Sequence, residues 1–192
     1  IALPDYSADA RKQSALNIEN ISCGLQSYDY EVLTTEQKLT YDILNDYVSS
    51  NRSQSDYTYY PEILRPSTGF PAQLPVLLSE YHFYDRKDVE DYLTLLSLIP
   101  SCFDSVLDYE TNRINEGLFL SDTQADTLIA DLNTFCDNSS EHYLITTFRN
   151  KVAELPGLTA EEQASYCIEN EGAFREYVLP AYEALRDFLV EH

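Results

Sequence analysis

The chain has 192 residues, of which 44% are hydrophobic, so it is long enough and apolar enough to bury a substantial core and is not a disordered polypeptide. It carries 33 Asp and Glu residues against 12 Lys and Arg residues, which gives a formal net charge of -21 at pH 7. Because the acidic residues are spread along the chain, they repel phosphate-rich partners, and we expect neither nucleic acid nor an anionic membrane surface as a partner.

Start and stop signals for helices recur along the chain. Three pairs have capping-box spacing, a Ser or Thr followed three residues later by Gln or Glu, beginning at Thr34, Ser121 and Thr159. Gly117 and Gly157 follow helical sequence and are typical stop signals. In chain order, helices are predicted over residues 8–27, 35–49, 71–84, 87–99, 101–116, 122–137, 140–154 and 160–190.

Proline and tyrosine positions complete this prediction. Pro100 lies between the fourth and fifth predicted helices, and Pro180 is expected to kink or divide the last one. Only residues 56–60, which contain a Tyr-Thr-Tyr-Tyr run, look extended, and they are too short to predict a sheet. We therefore expect an all-α fold, an elongated array of about seven or eight antiparallel helices forming a single domain over residues 1–192. No run approaches the roughly 20 apolar residues that a membrane-spanning segment needs.

The four cysteines, Cys23, Cys102, Cys136 and Cys167, are far apart and include no C-x-x-C pair, so they lack metal-ligand spacing. They could form at most two disulfides in one of three pairings. Cysteines on apolar helical faces are more often buried free thiols, and this interpretation is favoured for Cys136, which follows Phe135 on an amphipathic helix.

The strongest candidate for a binding surface is the aromatic cluster of Tyr57, Tyr59 and Tyr60, followed by Pro61. A tyrosine ring offers a flat apolar face with a polar end, which suits contact with peptides or sugars. The alternative is structural: the rings cover a helix seam while their hydroxyls reach water. Sixteen tyrosines in the chain make any single cluster less unusual.

Five other residues have a simpler structural interpretation. Gly69 predicts a turn that needs a positive φ, with Pro75 starting the helix that follows. Glu80 and His82 lie about 200° apart around a helix, so a metal site there is disfavoured, and Asp85 is expected to cap the next helix.

Glu110 and Arg113 lie one helical turn apart and predict a surface ion pair. Such a pair typically contributes less than about 1 kcal/mol.

Several motifs spread over nearly the whole chain carry a family resemblance. They are LTTEQ at residues 33–37, TYDIL at 40–44, TG at 68–69, QLP at 73–75, DVEDYL at 88–93, EGLF at 116–119, LITTF at 144–148 and PAY at 180–182. Together these residues resemble the N-terminal half of the bacterial domain-of-unknown-function family 885. Gly69 and Gln73, within two of the motifs, join Tyr57, Tyr59 and Tyr60 as candidate substrate-binding residues.

The resemblance implies a zinc metallopeptidase-like protein, since members carry a His-Glu-x-x-His helix followed by Pro-Gly-His in their C-terminal half. That helix places two imidazoles one turn apart with a Glu as base. None of His82, His142 and His192 has such neighbours, so no catalytic or metal-binding residue and no cofactor is assigned to this chain. We interpret the chain as part of a longer protein whose zinc site, and whose C-terminal lobe as packing partner, lie outside it.

Three hypotheses for function follow. In the first, the chain is the non-catalytic N-terminal helical region of a zinc metallopeptidase and forms part of the cleft for a peptide substrate. The resemblance then implies an extracellular or cell-surface bacterial lipoprotein, with a signal segment ahead of Ile1. In the second, the chain is a cell-surface module that binds peptide or glycan through the aromatic cluster of Tyr57, Tyr59 and Tyr60, without catalysis. In the third, it is a structural bundle that self-associates.

Overall fold

The structure is a computed structural model that describes residues 1–54, 57–137 and 142–192. Within those residues the chain is helical and contains no β-strand, which confirms the all-α fold class. Eight α-helices follow one another in this part of the chain: α1 (Ala8–Gln26), α2 (Thr35–Gln54), α3 (Phe70–Glu80), α4 (Arg86–Asn115), α5 (Asp122–Asp137), α6 (Tyr143–Glu154), α7 (Ala160–Ala173) and α8 (Leu179–Glu191).

The long helix α4 lies at the centre of the core. Its buried apolar residues alternate in steps of three and four, which places them on one face of the helix. This face packs against α7 and α8, while α5 packs on α8, and α6 packs on α7 and α3. The apolar residues of α4 in the core are Val89, Tyr92, Leu96, Ile99, Phe103 and Val106.

Helix α4 merges two helices that the sequence predicts as separate. Pro100 lies inside it, so the predicted break between residues 99 and 101 is wrong. A proline in a helix interior removes one hydrogen bond and costs about 3 kcal/mol. Ile99 and Phe103 are almost fully buried on either side of it, and their packing holds the two halves in one continuous helix.

Pro180 does divide the last predicted helix, and the division takes the form of a π-helical turn. The turn spans Phe174–Val178, between α7 and α8, and the N–H of Leu179 donates to the carbonyl of Phe174. The wider turn accommodates the ring of Pro180, which in a regular α-helix would clash with the carbonyl four residues before Pro180. Phe174 and Val178 are both buried, so the turn belongs to the core.

Most of the predicted start and stop signals are confirmed. At Ser121 only half of the predicted capping box forms: the N–H of Ser121 donates to Oε1 of Gln124 at 3.2 Å, while the N–H of Gln124 donates to the carbonyl of Ser121. Thr159 forms a complete capping box with Glu162, Thr34 forms the same reciprocal pair with Gln37, and Asp85 caps α4. Beyond the helix ends, Gly117 has φ 71° and Gly157 has φ 88°, left-handed conformations that favour glycine.

Some predicted boundaries are wrong. Helix α2 continues to Gln54, and α3 ends at Glu80 instead of residue 84. Residue 56 lies outside the described part of the chain. The rest of the segment predicted as extended forms a turn, in which the N–H of Tyr60 donates to the carbonyl of Tyr57 at 3.1 Å. Residue 140, where the seventh predicted helix begins, is also outside the described residues.

Helices α1 and α2 form a hairpin whose main contact is between the two helices themselves. Their seam contains the buried residues Ser22, Leu25 and Val48, and neither Leu25 nor Val48 joins the main core. An ion pair between Arg52 and Glu19 at 3.1 Å also crosses the seam. No helix among the described residues is long and apolar enough to cross a membrane.

Candidate functional site

The tyrosine-rich segment, residues 57–61, lies against the C-terminal half of α4. The Tyr109 hydroxyl lies within hydrogen-bond distance of two carbonyls of the segment, those of Thr58 at 3.1 Å and Pro61 at 2.9 Å. Arg113 donates from Nε to the carbonyl of Tyr59 at 2.9 Å. Two side chains of α4 thus hold the backbone of the segment, although it belongs to no regular helix.

Arg113 also forms a buried ion pair with Glu110. Its Nη1 lies 2.9 Å and 3.2 Å from the two carboxylate oxygens, and the two residues are 3% and 0% exposed. The predicted surface ion pair is therefore wrong, because both residues lie on the buried face of α4, where Arg113 contacts the backbone of Tyr59. Burial raises the pKa of the Glu110 carboxyl to about 7, and the charge of Arg113 opposes that increase.

Arg11 of α1 packs against the rings of Tyr59 and Tyr109. Its guanidinium carbon lies 5.1 Å from the ring centre of Tyr59 and 4.9 Å from that of Tyr109, both within cation–π range. Its Nη2 also donates to the Tyr59 hydroxyl at 3.3 Å. Arg11 therefore connects the α1–α2 hairpin to the tyrosine-rich segment and to α4.

The three candidate tyrosines fall into two groups. Tyr57 and Tyr60 are 56% and 63% exposed, and their ring centres lie 5.4 Å apart in an edge-to-face arrangement. Tyr59 is half-buried, with its ring 5.6 Å from that of Tyr109. The structure thus offers Tyr57 and Tyr60 as an exposed ring pair, while Tyr59 anchors the segment. Tyr59 therefore fits the structural interpretation, in which a tyrosine ring covers a seam between packed elements.

Gly69 has a different role from the predicted one. Its φ is -74°, so the prediction of a positive φ is wrong, and the left-handed residue of this turn is Ser67 with φ 62°. A Cβ built at Gly69 would lie 2.3 Å from the backbone nitrogen of Arg65 and 2.6 Å from the carbonyl oxygen of Ile63. Glycine is required here because another part of the backbone approaches too closely for a side chain.

Gln73 holds the same turn, since its Nε2 donates to the carbonyl of Ser67 at 3.1 Å. Helix α3 begins at Phe70 with Pro71 in its first turn, and Pro75 lies inside it, so the prediction that Pro75 starts the helix is wrong. Gln73 and Gly69 therefore shape the turn that leads into α3. Their contact with a substrate stays a prediction.

No three His, Cys, Asp or Glu side chains in the described ranges form a group that could hold a metal. His142 is buried at the start of α6, where its Nδ1 accepts from the N–H of Leu144 at 3.3 Å, and burial lowers its pKa to about 4. His82 stacks on Tyr84, and His192 lies against Phe188. None of these three histidines has the paired arrangement of the His-Glu-x-x-His helix, which the resemblance places outside this chain.

The cysteines are free thiols in the structure. Cys136 and Cys102 are buried, as the helical pattern predicts for Cys136, whereas Cys23 is exposed. Burial raises the pKa of the Cys102 thiol to about 12, which leaves it protonated and unreactive at neutral pH.

The match to a protein-family model covers the chain almost from end to end. The model of the family described as bacterial protein of unknown function (DUF885) matches residues 2–192. The chain belongs to this family. No curated protein sequence matches it.

A solved structure shows the same fold as part of a longer chain. The crystal structure of the putative lipoprotein from Colwellia psychrerythraea superposes with a TM-score of 0.88 at 16% identity and covers 97% of this chain. The match covers 34% of that protein, so the present chain spans about a third of its length. At this identity the likeness shows the fold alone.

Sequence reasoning identified the tyrosines but missed the residues that hold them. Glu110 and Arg113 continue the three-and-four spacing of Phe103 and Val106, so they fall on the buried face of α4. A charged pair on an otherwise apolar face is a signal of a buried pair, and it was available in the sequence. No comparable signal marks the contacts of Arg11 with Tyr59 and Tyr109, because these two residues lie far from it in the chain.

Proposed function

We propose that the chain is the non-catalytic N-terminal helical region of a longer, exported family member, and that Tyr57 and Tyr60 form part of the wall of a peptide-binding cleft. The observation that carries the proposal is the exposed edge-to-face pair of rings on a segment whose backbone is held from beneath by Tyr109 and Arg113. A backbone segment held in this way loses little conformational freedom when a ligand binds, which favours affinity.

The charge of the chain narrows the class of peptide. With 33 acidic and 12 basic residues, the surface around the ring pair belongs to a strongly anionic molecule. Long-range attraction favours neutral or basic peptides over acidic ones. Ring faces and hydroxyls together suit apolar side chains and backbone amides.

The resemblance to zinc metallopeptidases adds a second part to the proposal. A zinc-activated water that attacks an amide would be held by residues outside the present chain, and the described residues would bind and orient substrate. The share of the Colwellia protein that lies outside the match supports a division of this kind. Its description as a putative lipoprotein supports a place at the bacterial cell surface.

The test compares the double variant Tyr57→Ala/Tyr60→Ala with the wild-type chain in calorimetric titrations. The probes are peptides of equal length and equal aromatic content that carry net positive, zero or net negative charge. The matched control is Tyr84→Ala, which removes a tyrosine that is 80% exposed and lies outside the segment. We expect the double variant to weaken binding of the neutral and basic peptides at least about tenfold, and the control to change it little.

Equal binding by the double variant and the wild type would remove the ring pair from the site. A preference for the acidic peptides would contradict the electrostatic argument.

The second candidate function is a peptide- or glycan-binding module without catalysis, and the absence of a metal-holding group among the described residues is compatible with it. Metal content and peptidase activity of the full gene product separate the two candidates. Bound zinc with peptide cleavage supports the first, and peptide or glycan binding without cleavage supports the second.

A further inference from the structure

Helix α2 carries an exposed apolar stripe made of Leu39, Ile43 and Tyr47. The three residues are spaced by four and are 63%, 60% and 59% exposed. Side chains at this spacing fall within an arc of about 80° around a helix. They therefore form one continuous surface on one side of α2.

The side of α2 that contacts α1 lies elsewhere. Val48, which is buried in the hairpin seam, lies about 140° around the helix from Ile43, and the half-buried Tyr41 lies about 160° from it. α1 thus covers one apolar face of α2 while the stripe remains open on the other. A helix with two apolar faces is typical of an element that is packed between two neighbours.

We propose that the stripe of Leu39, Ile43 and Tyr47 docks against the remainder of the same polypeptide in a longer family member. This inference rests on the proposed function, because it requires that the chain is part of a longer protein. In the Colwellia structure the fold shared with this chain makes up 34% of the protein. The remaining two thirds of such a polypeptide are present in every molecule, because they belong to the same chain, and they can cover the stripe.

The charges beside the stripe indicate the chemistry of that partner surface. Glu36, Asp42 and Asp46 are exposed on the same helix, while Lys38 is engaged by Glu31 at 3.6 Å. A second copy of the chain would bring the same acidic border and another net charge of -21 to the contact. An apolar surface bordered by Lys or Arg residues fits better, since rim charges of opposite sign favour docking.

Hydroxyl-radical labelling tests the inference by comparing the full gene product with the 192-residue chain. We expect oxidation of Tyr47 to fall at least about fivefold in the full-length protein. Tyr28, which is 62% exposed on the connection that follows α1, serves as the internal reference for labelling within the hairpin. Tyr84 serves as the reference outside it.

A pair of variants supplies a second measurement. Ile43→Asp is expected to lower the Tm of the full-length protein by several degrees and to leave that of the 192-residue chain unchanged, because Ile43 is exposed there. Ser49→Asp introduces the same charge at an exposed position outside the stripe and is expected to leave both proteins unchanged.

The outcomes separate the docking inference from the proposed function. Equal labelling of Tyr47 in both proteins, with no effect of Ile43→Asp, would overturn the docking inference. It would not contradict the proposal that the chain is part of a longer protein. A gene product that ends at His192 would overturn both. Protection of Tyr47 that grows with the concentration of the 192-residue chain would make a second copy the occupant and overturn the proposed partner.

Discussion

Arg113 donates to the carbonyl of Tyr59 at 2.9 Å, so a side chain in the last turns of α4 fixes the backbone of a segment that lies more than fifty residues earlier in the chain. The same guanidinium neutralises the buried carboxylate of Glu110. One side chain therefore both positions the tyrosine-rich segment and compensates a charge in the core. This link makes the exposed rings of Tyr57 and Tyr60 depend on α4.

Replacing Arg113 by Met is expected to destabilise the protein by about 3–5 kcal/mol, because it leaves Glu110 buried without its partner. The double variant Glu110→Met/Arg113→Met removes both charges and is expected to recover at least about 2 kcal/mol of that loss. Urea unfolding followed by circular dichroism at pH 8 measures both changes. If the single variant loses less than about 1 kcal/mol, the pair is not buried as described.

The pH dependence of stability provides a separate test of Glu110. Its pKa in the folded state is raised to about 7 from an ordinary value of 4.5, so the folded protein takes up this proton at a higher pH than the unfolded chain does. The stability contribution of Glu110 is thus fully present below about pH 4.5 and is lost as the pH rises through about 7.

Glu110→Gln is expected to flatten this part of the pH profile, because Gln carries no titrating proton. The free energy of unfolding would be measured at pH 5.0 and at pH 8.0 for wild type and variant. Its decrease between the two pH values is expected to be smaller in the variant by ~1 kcal/mol or more. Asp108→Asn, an exposed position on the same helix, is the control and should keep the wild-type slope. A wild-type slope in Glu110→Gln would show that another group titrates in this range.

Two glycines provide opposite expectations for the same substitution. Gly69→Ala is expected to destabilise the protein by about 2–3 kcal/mol, because the added Cβ would meet the backbone of Arg65 at 2.3 Å. Gly24→Ala, inside α1 with no atom within 4 Å of the added Cβ, is expected to stabilise it by about 0.5–1 kcal/mol. Thermal unfolding of both variants checks the signs, and a neutral Gly69→Ala would contradict the close approach in the turn.

The helices could largely be predicted from the sequence because their signals are local. The capping box at Thr159 and the stop at Gly117 act over a few residues, so sequence spacing is enough to find them. Pro100 and Pro180 show that the local sequence does not determine the effect of a proline on a helix. The same residue type is absorbed into a continuous helix at one position and produces a π turn at the other, and the packing on either side decides between them.

The candidate site could be predicted only in part for the same reason. Tyr57 and Tyr60 are recognisable by composition, but the inward position of Tyr59 depends on Tyr109 and Arg11, which lie about fifty residues away on either side. The conformation at Gly69 depends on the approach of Arg65, which spacing does not reveal. Long-range contacts of this kind become visible only when the helices are assembled.

Arg11 connects the α1–α2 hairpin to the body of the protein through the rings of Tyr59 and Tyr109. Cation–π contacts with Tyr59 and Tyr109 are worth about 0.5–2 kcal/mol, and their loss should let the hairpin open more often. Arg11→Met is therefore expected to increase amide hydrogen exchange in α1 by roughly 2- to 30-fold while exchange in α4 changes little.

Lys12→Met is the matched control for this experiment. Lys12 is the neighbouring basic residue on α1, and its ion pair with Asp9 is almost fully exposed, so its removal should leave exchange in α1 unchanged. Exchange measured by mass spectrometry on both variants separates the two positions. If Lys12→Met and Arg11→Met accelerate exchange equally, the effect comes from net charge or helix propensity, and Arg11 does not hold the hairpin through the two tyrosine rings.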